Sequence, residues 1–180
     1  MHLRYGTNDP SQSKLPDLEF SRAIVHPKWD PFEVHNDISL FILAKAITPS
    51  ENVQVISLND DVSVGVNASL TLYGFGVTKS GDKYHQAKMM RTTSQQIADR
   101  EICSEYIEKI GGKLHDGMLC AQGTNTSACN GDSGGPLLVS ESRKQIGIVS
   151  FGTRGCPENS LNVFTNVTHY LNWIQKHKVD

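Results

Sequence analysis

Cys129-Asn130-Gly131-Asp132-Ser133-Gly134-Gly135-Pro136 is the stretch from which the rest of the sequence can be read. It sets one serine among three glycines. Glycine admits backbone torsions and close approaches that a Cβ forbids, so this pattern describes a turn too tight for ordinary residues. Such a turn can aim the backbone N–H groups of Gly131 and Ser133 at one point. Two donors converging on one point stabilise the negative oxygen of a tetrahedral acyl intermediate. Ser133 is then a candidate nucleophile, with Gly131 and Ser133 as its oxyanion hole. A glycine-rich hairpin with an incidental serine is the plainer alternative.

The flanking sequence is β-rich. Short apolar alternations at 39–43, 53–58, 70–73, 137–139, 145–151 and 162–167 read as strands separated by Gly, Asn, Asp, Ser and Pro. Many short strands at this spacing predict an all-β sandwich or barrel. Asp99 can cap a helix running through Ile110, and a second helix begins near Thr168, with Lys176, His177 and Lys178 in its last turn. The 180 residues carry 17 Lys+Arg against 19 Asp+Glu, a formal net charge of −2 that offers no electrostatic footprint for nucleic acid or an anionic membrane. The apolar run at 40–44 is far too short to span a bilayer, and the first six residues hold no apolar core of a secretory leader.

Cys103, Cys120, Cys129 and Cys156 contain no Cys-x-x-Cys pair, so the usual spacing of a structural zinc site is absent. Four cysteines allow three pairings, or four buried thiols. Sequons at Asn67, Asn125 and Asn166 join the even cysteine count in favouring a secreted protein.

Beyond the Ser133 octapeptide, further segments occur in an order and spacing that resembles the trypsin/chymotrypsin family of serine endopeptidases. Asn36-Asp37-Ile38-Ser39-Leu40 looks like the strand carrying its aspartate, and Gly74-Phe75-Gly76 like its Gly-Trp-Gly turn. Val149-Ser150-Phe151-Gly152 looks like its substrate-backbone strand, and the segments at 162–167 and 170–174 like its last strand and final helix. The resemblance implies an all-β, two-barrel chymotrypsin-like fold with an incomplete first barrel and a C-terminal α-helix. Residues 1–50 would be the remnant of the first barrel, 51–166 the second barrel with serine and pocket, and 167–180 the helix. It further implies Cys103–Cys120 and Cys129–Cys156 disulfides, and Asp37 as the carboxylate that orients a catalytic imidazole. It implies no cofactor or metal, polypeptide substrates or protein protease inhibitors as partners, a monomer, no contact with nucleic acid or membrane, and an extracellular location.

That mechanism needs a general base, because a neutral serine hydroxyl is a poor nucleophile. His2, His26 and His35 precede Asp37, yet none stands in the family's Ala-Ala-His-Cys context. His26-Pro27 resembles a structural pair, and His35 shares a face with Asp37 and cannot cross a cleft to Ser133. His85, His115, His169 and His177 fall in loops or at helix ends. Asp132 beside the serine calls for a partner, which the family supplies as an N-terminal amine freed by cleavage. No Ile-Val-Gly-Gly start is present. One N-terminal truncation accounts for leader, activation site and histidine together, and predicts a chain that folds poorly and is inactive alone.

In the pocket implied by the resemblance, Ser127 stands at the floor where trypsin-like enzymes hold an aspartate, so the expected preference is chymotrypsin-like rather than trypsin-like. Ser150 and Gly152 form one wall and leave it open. Asn162 replaces a usual glycine on the other wall, narrowing the pocket and giving it a polar end. The alternative to an enzyme is a pseudoprotease that acts as a binding or regulatory module.

Overall fold

The structure, a computed structural model, describes residues 3–12, 16–66, 68–79, 81–82 and 85–179; His2 and Asn67 lie outside the described residues. Six antiparallel strands close into a barrel: β5 (Ser69–Gly74), β6 (Arg91–Ile97), β7 (Met118–Gln122), β8 (Pro136–Val139), β9 (Gln145–Gly152) and β10 (Leu161–Asn166). Their spatial order is β10-β7-β6-β5-β8-β9. Closure leaves no strand edge unpaired. Leu70 and Leu72 of β5, Leu137 of β8, Ile146 and Val149 of β9 and Phe164 of β10 meet inside it as one apolar cluster.

Before the barrel come two pairs of strands. β1 (Leu3–Arg4) pairs with β2 (Asp17–Leu18), and β3 (Phe20–Val25) with β4 (Ser39–Leu43). Among the described residues, none from these four strands belongs to either buried apolar cluster. Val25 and Phe41 are exposed, as is Phe32 in the turn that follows β3. The architecture matches the all-β expectation: one closed barrel, a partial sheet ahead of it, and a C-terminal helix.

Two helices flank the barrel. α1 (Arg100–Lys109) starts where the Asp99 carboxylate accepts the Glu101 N–H at 2.8 Å. It is tied to β7 by the Cys103–Cys120 disulfide and buries Ile107. α2 (Val167–His177) starts one residue before Thr168, because the Asn166 side chain accepts the Thr168 N–H. Val167 and Tyr170 are its buried face.

The expected strand at 53–58 does not form. Only its ends make bridges, Val53 with Ser50 and Leu58 with Gln145, while Val55 and Ile56 face solvent. Alternation reports amphipathicity, but a strand also needs a neighbour to pair with, and this segment has none along its middle.

Candidate active site

The Ser133 turn is held from both sides. The Gly134 N–H donates to Val149 O at 2.9 Å and the Val149 N–H to Gly135 O at 3.0 Å, fastening the turn to β9. Gly131 and Gly134 have φ of 98° and 80°, the left-handed region that glycine enters without cost. Asp132 is paired with backbone rather than left as an isolated charge. Its Oδ1 accepts the Gly76 N–H at 2.7 Å and its Oδ2 the Cys129 N–H at 3.0 Å. The Gly74-Phe75-Gly76 turn exists to admit it: a Cβ on Gly74 or Gly76 would come within 1.9 or 2.3 Å of the Asp132 carboxylate. Behind that carboxylate lies a cavity of about 190 Å³, bordered also by Gly76, Arg91, Thr126, Ser127 and Glu158.

Asp37 lies on the first half of the chain but is anchored to the second. The Ser150 hydroxyl of β9 donates to Asp37 Oδ2 at 2.7 Å, and the Thr165 hydroxyl of β10 donates to the Asp37 carbonyl at 2.7 Å. Its neighbour Asn36 is buried in a left-handed conformation, φ 59°. Asn36 donates to Lys28 O at 2.7 Å and accepts the Tyr170 hydroxyl at 3.0 Å. Burial, and to a lesser degree the Asp37 charge, raise the Tyr170 phenol above its ordinary value, which keeps it a donor. These contacts of Asn36, Thr165 and Tyr170 around Asp37 were not singled out by sequence reasoning.

In front of the turn, an open cavity of about 520 Å³ brings Ser133, Ser150, Gly152, Asn162 and the Cys129–Cys156 disulfide together. Asp37 reaches this group through Ser150. Ser127 is placed differently: it borders the rear cavity and not the front one. The buried Asn162 amide lines the front cavity and is hydrogen-bonded to Ser127, which borders the rear one. Its oxygen accepts the Ala128 N–H at 2.9 Å and the Ser127 hydroxyl at 3.1 Å. Its nitrogen sits where a Cβ on Gly152 would fall, 2.5 Å away. The amide therefore spans from the Gly152 wall to the Ala128 wall.

The described histidines are engaged elsewhere. His26 packs against the rings of Tyr170 and Trp173, and His35 stacks on His115. His85 Nδ1 meets Asp82 Oδ2 at 2.8 Å, His169 packs edge-on against Tyr170, and His177 Nδ1 donates to Trp173 O. Among the described residues no histidine is hydrogen-bonded to Ser133 or Asp37, and no cluster of side chains suits a metal ion. No helix among them is long and apolar enough to cross a membrane.

Comparison with known proteins gives the family and the fold. The family model described as Trypsin matches residues 1–174. Transmembrane protease serine 11G of Rattus norvegicus is 31% identical over 168 residues, covering 89% of this chain and 39% of the relative. Chymotrypsin of Phaedon cochleariae is 34% identical over 157 residues, covering 86% and 54%. The chain thus spans about two fifths to one half of the length of these relatives. The solved structure of neuropsin, a serine protease expressed in the limbic system of mouse brain, shares the fold with a TM-score of 0.86 at 24% identity, covering 97% of this chain and 78% of its own. The chain belongs to the trypsin family of serine proteases.

Proposed function

We propose that this chain carries the nucleophile and its orienting carboxylate for a serine endopeptidase, and that it depends on an imidazole that its described residues do not place beside Ser133. The observation that supports this most is the Asp37–Ser150 hydrogen bond, which brings a carboxylate to the wall of the cavity that Ser133 faces. In the proposed reaction Ser133 Oγ bonds to the peptide carbonyl carbon while its proton passes to the imidazole, and the carbonyl π pair moves onto oxygen. The N–H groups of Gly131 and Ser133 stabilise that oxyanion. Collapse breaks the C–N bond, and the amine leaves with the imidazolium proton. Water repeats the sequence on the ester and restores Ser133. Asp37 holds the imidazole in one orientation and stabilises its cation. The substrates are polypeptides, protein protease inhibitors bind the same cavity, and the protein works outside the cell.

Hydrolysis of a peptide ester with imidazole supplied tests this reading: turnover that Ser133→Ala removes supports it. The pseudoprotease reading takes its support from the engaged histidines, and requires that added imidazole bring no Ser133-dependent turnover.

Asn162 governs which side chain enters the pocket. With its amide as the effective floor, the cavity takes a small P1 side chain and shuts off the depth that a Phe or Tyr ring needs. Ser127 offers no carboxylate to pair with Lys or Arg, and Asp82 on the cavity lining is engaged with His85. Product peptides ending in Ala are therefore expected to bind more tightly than those ending in Phe. Asn162→Gly joins the front cavity to the Ser127 recess, and is expected to tighten the Phe peptide by roughly tenfold or more while leaving the Ala peptide nearly unchanged. Fluorescence titration of both peptides against both proteins checks it, and a wild-type preference for Phe would contradict it.

A further inference from the structure

The turn that carries Asp37 is joined to the second half of the molecule by an unusual contact. The rings of His35, in that turn, and His115, in the loop between α1 and β7, are stacked with centroids 4.0 Å apart and planes 8° from parallel. The turn itself is strained. Val34 has φ 48° and Asn36 φ 59°, and a β-branched residue in the left-handed region persists only where its surroundings hold it. Paired backbone hydrogen bonds between Asp30 and His35, at 2.9 and 3.1 Å, close the turn on itself but do not fix it to the barrel. Hydrogen bonds from Ser150, Thr165 and Tyr170 hold Asp37 and Asn36 to the barrel and α2, and the ring stack adds a further hold two residues before Asp37.

We propose that His35 and His115 form a pH-dependent catch that positions Asp37 against Ser150 and opens when both rings are protonated.

Glu33 Oε2 lies 3.4 Å from His115 Nε2, and a single cation stacks well on a neutral ring. A second proton puts two cations face to face at the stacking distance, where like charges repel strongly. His35 is depressed below the ordinary imidazole value, first by burial, then by His115, His169 and His26, with only Asp30 opposing. His26 and His169 come from the end of β3 and from α2, so protonation there adds to the repulsion. The sign follows from linkage. The unfolded turn binds a proton on His35 more readily than the folded turn. The stability held in the catch is therefore present above the ordinary value near 6.5, and is lost as pH falls from there through the lower folded value.

Hydrogen exchange of the intact chain tests the catch without any need for turnover. Its outcome is thus separate from the proposed peptidase chemistry, on which only the catalytic meaning of Asp37 rests. Protection of the peptide spanning 30–38, corrected for intrinsic exchange, is compared at about pH 7.5 and about pH 5, either side of the imidazole range. The wild-type segment is expected to lose protection at the lower pH while β10 keeps its own. His115→Phe, which keeps an aromatic partner and cannot charge, is expected to hold protection at both. His35→Phe should do the same, and serves if the first variant folds poorly, with β10 protection reporting the fold. Equal wild-type protection at both pH values, or the same acid loss in the Phe variants, would overturn the proposal.

Discussion

Supplied with imidazole, the chain is expected to hydrolyse a peptide ester with alanine at P1; without it, turnover is expected to fall roughly 10⁴–10⁶-fold below that of a protease with its own base, as on removal of a triad member. The cost is large because the unaided hydroxyl must lose its proton to water while it attacks. Added imidazole has a place to go. Ser133 and Ser150 border one open cavity, and Asp37 Oδ2 lies 2.7 Å from the Ser150 hydroxyl. The proposed reaction requires that an imidazole there face the carboxylate with one nitrogen and Ser133 with the other. Because it is untethered, it recovers only part of the rate, since a held base gains an effective molarity that a free one lacks. Initial rates should rise with imidazole concentration before saturating. Ser133→Ala should abolish that dependence, and Asp37→Asn should cut it by roughly 10⁴-fold through the wrong imidazole orientation.

Phe164→Ala is expected to destabilise the chain by about 3–5 kcal/mol. Phe164 is fully buried in β10, paired in register with Leu119 of β7 on one side and Val149 of β9 on the other. Its side chain packs in the cluster with Leu70, Leu137 and Ile146. A closed barrel cannot collapse readily around the void, because every strand is hydrogen-bonded to two neighbours. Among the described residues, the four strands of the first half contribute no side chain to either cluster and so offer no comparable core to compensate. Against a total near 5–15 kcal/mol for a domain, the loss is a large fraction. Urea unfolding followed by tryptophan fluorescence measures it, and an unchanged midpoint would show that the barrel is not the stability core.

What could be read in the sequence was local. The Ser133 turn is written in its own glycines, β10 and α2 in their own periodicity, and the α1 cap in Asp99. The parts that stayed hidden depend on partners far away in the chain. β6 reads Arg-Thr-Thr-Ser-Gln-Gln-Ile, with its interior position filled by Gln95, buried opposite Leu70 and with no hydrogen-bond partner for its amide among the described residues. No apolar alternation marks such a strand. The segment at 53–58 shows the converse, an alternation with no neighbour to pair with. Asn162 was legible as a departure in the pocket wall. Its tie to Ala128 and Ser127 was not, because those hydrogen bonds reach 34 and 35 residues back along the chain. The hold on Asp37 is of the same kind: Ser150 and Thr165 lie 113 and 128 residues further along the chain.

The claim at the centre of this account is that Ser133 is an acyl-forming nucleophile, and intact-protein mass spectrometry tests it most directly. After incubation with an activated peptidyl ester and imidazole, the wild-type chain is predicted to gain the mass of one acyl group, located on the peptide containing Ser133. The Ser133→Ala chain is predicted to gain none. An equal gain in both chains, or an acyl group on any residue other than Ser133, would contradict the account.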